Sequence, residues 1–190
     1  IAKQLPGRAV SLLWTRAQDL QHDFYRPAHM ARYRASLDAA GNVLAVHGRT
    51  AGQSLLGFKG MRRDRSQPDA TSSSGLMPPE YALPNRFCEW VELQAQVPVG
   101  FWRAVGASQN GFFAESMIDE LAHAAGRDPL EFRGALVASN ARARAVLERL
   151  VLEAGWSTPL AAGSGRGLAL SSGFGSLCGQ VFEVSVVEST

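Results

Sequence analysis

Alternation of apolar and polar positions in the first half of the chain predicts β-strands. Residues 30–37 and 43–50 both alternate, and the stretch 38–42 between them is rich in turn-forming residues. We therefore expect a β-hairpin in this region. The same alternation predicts a strand at 87–93, and a short apolar run at 10–14 predicts another.

The middle of the chain has helical periodicity instead. Ser108 or Asn110 is expected to cap the first helix, and Gly126 to end it. A second helix is expected to start at Asp128, which is followed by a proline, and a third to follow from Asn140. The first helix presents an apolar face formed by Phe113, Ala114, Met117, Ile118, Leu121, Ala122 and Ala125.

Two more strands are predicted after the helices, at 168–171 and 179–187. Strands, then helices, then strands indicate an α+β domain with a mixed or antiparallel sheet packed against about three helices. Gly, Pro, Ser, Asp and Arg are concentrated in residues 57–83, which predicts one long loop within the domain. Upstream, Thr15 or Asp19 is placed to cap a brief helical turn.

Composition and charge exclude several classes of protein. The 190 residues are 46% hydrophobic and 19% charged, with a net charge of +2, as in an ordinary globular domain. The basic cluster of Arg62, Arg63 and Arg65 indicates a solvated loop rather than a nucleic-acid site. No apolar run approaches the ~20 residues that span a membrane. Cys88 and Cys178 could form a disulfide, but two free, partly buried thiols are favoured.

Residues 101–110 form the best candidate for a binding site. Arg103 and a glycine turn at Gly106 immediately precede the long predicted helix. Free backbone N–H groups, the positive end of the helix dipole and a guanidinium would then meet in one place, which suits a phosphate or a polar cofactor. Gln109 adds an amide that can donate to a bound anion. The alternative is an ordinary surface arginine before a glycine turn.

Other residues carry weaker signals of chemistry. Glu115 and Asp119 share one helix face, and paired carboxylates can act in acid–base catalysis. Acidic residues in the first turns also stabilise the helix dipole, and that role is favoured. His22 and Asp23 are adjacent, so they are not expected to form a catalytic pair. The sequence has no GxSxG, P-loop or GxGxxG motif.

The ends of the sequence favour a piece of a longer polypeptide. The chain begins with Ile1 rather than methionine, and it stops just after the strand-like residues 182–187. A strand without its turn or partner leaves an unpaired edge. We therefore expect an internal fragment that exposes apolar surface and self-associates through residues 181–187.

Several segments, in this order along nearly the whole chain, resemble one known family. They are similar to the molybdenum-binding large subunit of the xanthine oxidase and aldehyde oxidase family, and within it to the branch of isoquinoline 1-oxidoreductase beta subunits. The segments are residues 14–20, 23–27, 81–85, 97–106, 113–122, 126–129 and 180–184.

The resemblance implies that the parent protein is a bacterial molybdenum hydroxylase. Such enzymes bind molybdopterin, often as the cytosine dinucleotide, and use water to hydroxylate N-heteroaromatic compounds such as isoquinoline or to oxidise aldehydes. Electrons leave through [2Fe–2S] clusters on a partner, the iron–sulfur small subunit. The resemblance does not decide whether the parent protein is located in the cytoplasm or in the periplasm.

The resemblance also assigns a cofactor-binding role to part of the candidate site. The arginine that matches Arg103, with its neighbouring backbone at Trp102, Ala104 and Gly106, lies against the molybdenum–pterin centre in the family. Gln109 lines up with a glutamine that is common after the family's glycine turn.

Other parts of the family's active site have no match here. The glycine loop that reaches the molybdenum ligands should lie before Ile1, and the catalytic glutamate after Thr190. No position matches the purine-orienting arginine, and Glu115 is not the missing base. The chain is therefore expected to contain no catalytic residue or metal ligand, to be inactive alone, and to bind the cofactor weakly or not at all. The rival hypothesis is a non-enzymatic α+β interaction module.

Overall fold

A three-stranded mixed sheet forms from the first half of the chain. The computed structural model describes residues 1–62 and 64–186, so Arg63 of the basic cluster and the end of the predicted strand 179–187 lie outside the described residues. Strands β1 (His29–Leu37) and β2 (Val43–Gly52) are the predicted antiparallel hairpin. β3 (Arg86–Glu92) then adds to β2 in the parallel direction.

A second sheet contains two strands, β4 (Ser164–Gly173) and β5 (Ser176–Ser185), which pair antiparallel. The connecting residues Phe174 and Gly175 have φ angles of 51° and 78°. Positive φ at both positions is the type I′ geometry that suits the twist of a two-residue hairpin. Both predicted strands are thus confirmed, and they are longer than the apolar pattern indicated.

Three long helices carry the second half of the fold: α4 (Gly106–Ala124), α5 (Pro129–Leu136) and α6 (Ala141–Ala154). Asp128 caps α5 by accepting hydrogen bonds from the N–H groups of Leu130 and Glu131. Asn140 caps α6, and Gly155 ends it in the left-handed conformation. These caps confirm the predicted starts of the second and third helices, and the mixture of sheets and helices confirms the α+β class.

Three short helices complete the fold. Thr15 caps α1 (Arg16–His22) with a reciprocal capping box that involves Gln18. Two single turns, α2 (Leu55–Phe58) and α3 (Ala70–Ser73), order the connection between β2 and β3. None of the helices in the described residues is long and apolar enough to cross a membrane.

The hydrophobic core lies between the sheets and the long helices. Helix α4 supplies its centre, because Ile118 and Ala122 are fully buried there. Further core residues come from every layer: Val46, Tyr81, Leu83, Phe132, Val137, Ala143, Leu147, Leu168 and Leu170. Both halves of the chain therefore pack against α4, which positions the segment at the helix start.

The predictions of a strand at 10–14 and of partly buried cysteines are wrong. Residues 10–14 form no strand, and Leu12, Leu13 and Trp14 are 65%, 89% and 69% exposed. An apolar run becomes a strand only where a neighbouring strand pairs with it, and no such strand lies beside it in the described residues. Cys88 and Cys178 are free thiols as favoured, but both are exposed rather than partly buried.

Candidate cofactor-binding site

A strained turn precedes helix α4 and carries the predicted site. The Val105 N–H donates to the Trp102 carbonyl over 2.8 Å, which closes the turn. Ala104 and Val105 have φ angles of 67° and 51°. A β-branched residue rarely adopts positive φ, so this backbone is held in place by its surroundings. The turn leaves Trp102 and Arg103 exposed to solvent.

The first turn of α4 uses some of the N–H groups that were expected to be free. The Ala107 N–H donates to the Ala104 carbonyl at 3.0 Å, and the Ser108 N–H donates to the Val105 carbonyl at 3.2 Å. The helix begins at Gly106, and Val105 is the N-cap without any side-chain hydrogen bond. The prediction that Ser108 or Asn110 caps the helix is therefore wrong, because the tight turn starts the helix earlier.

Gly106 is required for packing against the preceding segment. A Cβ atom at this position would lie 2.6 Å from the Thr71 carbonyl oxygen and 3.1 Å from backbone atoms of Ser74. The glycine thus lets the helix approach the α3 backbone. We expected it to let the backbone approach a ligand, and the structure gives it this different neighbour.

Asn110 fixes the same contact from the helix side. It is fully buried, and its Nδ2 donates to the carbonyls of Ser72 at 2.8 Å and Ser74 at 2.9 Å. Asp69, also buried, accepts hydrogen bonds from the hydroxyls of Ser54 and Thr71. The connection between β2 and β3 is thereby tied to the start of α4.

Gln109 is the predicted site residue with the most informative environment. Its side chain is 5% exposed, and its Oε1 accepts a hydrogen bond from the Ser108 hydroxyl at 2.8 Å. Its Nε2 is buried and has no acceptor among the described residues. A buried amide donor without a partner is costly, so this position fits a polar group that accepts from it.

The carboxylates of α4 form an ion-pair network rather than an acid–base pair. Arg133 of α5 is fully buried, and its Nε donates to Glu115 Oε2 over 3.1 Å. Its Nη1 donates to Asp119. The Leu170 N–H also donates to Glu115 Oε2, at 2.9 Å. Burial raises the pKa of Glu115, although Arg133 and the Leu170 N–H oppose that rise. The ion pair of Glu115 and Arg133, together with the Leu170 N–H, therefore joins α4, α5 and β4.

The histidines provide no catalytic pair near this site. His22 Nδ1 lies 3.1 Å from the Gln18 carbonyl, whereas the Asp23 carboxylate accepts from the Phe24 N–H. His47 pairs with Glu89 on the neighbouring strand instead, at 2.6 Å. In the described residues, no group of three or more His, Cys, Asp or Glu side chains could hold a metal ion.

Sequence reasoning missed two residues that organise the site, Asn110 and Arg133. Asn110 was interpreted as a cap, although an asparagine inside a helix needs another partner and signals a contact with a neighbouring backbone. The i, i+4 pair Glu115 and Asp119 carried the signal for Arg133, because two acids on a helix face toward the core require a cation. Only the tertiary structure shows which arginine supplies it.

With this geometry in place, comparison with known proteins defines the class. Residues 1–135 match the model of the molybdopterin cofactor-binding domain family. The match covers most of the chain, so the protein belongs to that family. The resemblance found in the sequence is thereby confirmed. The cofactor contacts of Trp102, Arg103, Ala104, Gly106 and Gln109 stay predictions.

Two curated proteins are similar to this chain over most of its length. The chain is 28% identical over 169 residues to isoquinoline 1-oxidoreductase subunit beta of Brevundimonas diminuta, over 87% of this chain and 22% of that protein. It is 24% identical over 205 residues to a membrane-bound aldehyde dehydrogenase (pyrroloquinoline-quinone) of Gluconacetobacter polyoxogenes, over 90% of this chain and 25% of that protein. The chain thus spans about a quarter or less of these relatives' lengths.

A solved structure shows the same fold. Aldehyde oxidoreductase from Desulfovibrio gigas superposes with a TM-score of 0.58 at 19% identity, over 83% of this chain and 19% of that one. The likeness concerns the fold of the matched part of the chain.

Proposed function

We propose that this chain is one internal part, residues 1–190, of the large subunit of a molybdenum-dependent hydroxylase. Membership in the molybdopterin-binding family supports the proposal. The relative from B. diminuta, a beta subunit of isoquinoline 1-oxidoreductase, supports the same type of subunit. The chain would contribute scaffold and one wall of the cofactor site, whereas the catalytic base would lie elsewhere in the parent.

The buried amide of Gln109 is the observation that carries the assignment of the site. Its Nε2 lacks an acceptor among the described residues, one helical turn after the strained Ala104–Val105 pair. A molybdopterin cofactor offers oxygen and nitrogen acceptors, so the donor set fits the group. When bound, the cofactor would supply the redox chemistry that inserts oxygen from water into a carbon–hydrogen bond.

The residues of this segment would have separate roles in holding the cofactor. Arg103 would place a fixed positive charge and planar N–H donors beside its anionic part. The Trp102 and Ala104 backbone would border the cofactor, and Gly106 would keep the turn seated on α3. Gln109 would donate from its buried amide, with Ser108 holding the amide orientation through Oε1.

The finer identity of the cofactor and partner is also part of the proposal. We expect molybdopterin, in bacteria often as the cytosine dinucleotide, and an iron–sulfur small subunit with [2Fe–2S] clusters that accepts the electrons. The description of the B. diminuta relative as a subunit beta supports an assembly of several subunits. The substrate would be a small N-heteroaromatic compound such as isoquinoline, or an aldehyde.

The experiment is an activity assay on the full-length gene product purified with its neighbouring iron–sulfur subunit. Isoquinoline, quinoline and benzaldehyde would be supplied with an artificial electron acceptor in water labelled with oxygen-18. We expect one substrate class to yield product that carries the label. Absence of turnover in a preparation that contains molybdenum and iron would contradict the proposed reaction, and label from molecular oxygen would contradict its mechanism.

Apolar exposure favours a second candidate, a non-enzymatic interaction module. Leu13, Trp14, Phe182 and Val186 are each more than 60% exposed in the described residues. Under the first proposal, the rest of the subunit would cover this surface. A gene that continues past Thr190 into a glycine-rich stretch with a glutamate favours the hydroxylase, and a stop codon there favours the module.

A further inference from the structure

A small cavity lies between the loop that contains Glu80, helix α4 and strand β4. Its volume is about 10 Å³, and its lining includes Glu80, Gly111, Glu115, Ser171 and Ser172. A cavity of this size holds one water molecule or one small ion, and no side chain. Its lining also includes Gly75, which packs against Ala107, so the cavity borders the start of α4, but none of the roles proposed above uses its carboxyl or hydroxyl groups.

Glu80 is the unexplained group in this cavity. The residue is 5% exposed, and its two carboxylate oxygens are buried with no hydrogen-bond partner among the described residues. An ionised carboxylate loses its hydration on burial, and nothing described in the protein replaces it. Buried polar groups in folded proteins are almost always partnered, so these two oxygens call for a group that binds them.

Glu115 presents a second carboxylate oxygen to the same space. Its Oε2 is held by Arg133 and the Leu170 N–H. Its Oε1 is buried and makes no hydrogen bond of ordinary length among the described residues, and the buried Tyr81 hydroxyl lies beside this carboxylate. Asp119, the other partner of Arg133, is about half exposed, so water shares its charge. The buried cluster therefore contains the carboxyl groups of Glu80 and Glu115, the Arg133 guanidinium and the Tyr81 hydroxyl, and Glu80 has no partner for either oxygen among the described residues.

The donor set of the cavity selects the kind of ion. Carboxylate oxygens and the hydroxyls of Ser171 and Ser172 are hard oxygen donors, without sulfur or imidazole. We propose that the cavity between Glu80 and Glu115 binds a small hard cation, of the alkali or alkaline-earth class. The cation would join the loop that contains Glu80 to α4 and β4. It would thereby stabilise the helix that follows Arg103.

The test is thermal unfolding of the purified full-length protein in defined cations. The protein is treated with a chelator and exchanged into tetramethylammonium chloride, whose cation is too large for the cavity. Sodium, potassium, calcium or magnesium is then added at constant ionic strength. We expect at least one of them to raise the unfolding temperature by several degrees and in a saturable way. No rise with any of the four overturns the proposal.

Two variants separate this site from general effects of salt. Glu80→Gln removes the buried charge and should abolish the cation-dependent rise. Glu120→Gln removes an exposed charge from the same helix as Glu115 and should retain it. A rise of equal size in Glu80→Gln would overturn the proposal. Stability of the unsubstituted protein that depends on pH but on none of the cations would identify a shared proton instead and would also overturn it.

A crystal structure provides the measurement that does not depend on the folding of a variant. Crystals of the unsubstituted protein are soaked with a heavy analogue of the effective ion, rubidium for an alkali ion or strontium for calcium. Anomalous scattering should show one peak within coordination distance of Glu80. A map without a peak in this cavity overturns the proposal even where the variants cannot be purified.

Discussion

The Arg133 guanidinium of α5 lies fully buried against the Glu115 carboxylate of α4, with Nη2 3.0 Å from Oε2. The contact joins two helices and, through the Leu170 N–H, a strand of the second sheet. Removing one partner from such a pair leaves an uncompensated buried charge.

We therefore predict that Arg133→Met destabilises the protein by about 3–5 kcal/mol. The matched control is Arg144→Met, which breaks the exposed i, i+4 pair with Glu148 and should cost about 0–1 kcal/mol. Denaturant unfolding followed by circular dichroism measures both free energies. Equal losses of unfolding free energy in the two variants would contradict a larger contribution of the buried pair to stability.

A second prediction concerns the two glycines at Gly106 and Gly134. Gly106→Ala places a Cβ 2.6 Å from the Thr71 carbonyl oxygen and should destabilise by about 1–3 kcal/mol. Gly134→Ala meets nothing within 4 Å inside α5 and should stabilise by about 0.5–1 kcal/mol. Thermal unfolding distinguishes the two variants, because the unfolding temperature should fall in Gly106→Ala and rise in Gly134→Ala. A stabilised Gly106→Ala variant would contradict the packing role of this glycine.

The third prediction concerns pH and Asp69. Burial alone would raise the pKa of Asp69, but hydrogen bonds from Thr71, Ser54 and the Leu56 N–H outweigh it and lower the pKa below its usual 3.8. The unfolded chain then binds more protons than the folded chain in this range. The stability contributed by Asp69 is therefore present above pH 3.8 and lost as pH falls through the lower folded pKa.

Asp69→Asn should accordingly cost about 1–3 kcal/mol at pH 7, because an amide offers one acceptor oxygen to these donors. The difference between the variant and the unsubstituted protein should shrink below pH 3.8. Denaturant unfolding at a series of pH values measures this difference. A difference that stays constant down to pH 2 would contradict the ionic role of Asp69.

Self-association of the 190-residue chain is the fourth prediction. Phe182 and Val184 of β5 are 65% and 64% exposed, and β5 pairs only with β4 in the described residues. We expect concentration-dependent oligomers by light scattering, and Val184→Lys should reduce them. Phe174→Ser, at the exposed hairpin turn, is the control and should leave them unchanged. A monomer at high concentration would contradict this prediction.

Local signals in the sequence were sufficient for most of the fold. The caps at Thr15, Asp128 and Asn140 act through neighbours within three residues, so the sequence alone reveals them. The parallel addition of β3 to β2 could not be predicted, because it depends on the path of the connection between them. The strand predicted at 10–14 was wrong for the same reason, because strand formation needs a partner that is distant in sequence.

The roles of Arg103 and Gln109 in cofactor binding stay predictions, and the structure shows their surroundings. Arg103 is exposed before the start of α4, and Gln109 is buried in the first turns of that helix. The role of Gly106 could not be predicted, because its neighbours at Thr71 and Ser74 are more than 30 residues away in sequence. The positive φ angles at Ala104 and Val105 carry no sequence signal either, since neither residue favours that conformation.

The central claim is that the Arg103 segment binds a molybdenum–pterin cofactor. The most direct measurement is the molybdenum and pterin content of the full-length gene product, purified with its iron–sulfur subunit from a host that makes the cofactor. We predict molybdenum near one atom per large subunit, reduced in Arg103→Ala and retained in Arg32→Ala, which removes an exposed arginine of β1. Absence of molybdenum and pterin from the unsubstituted protein, or equal content in the two variants, would contradict it.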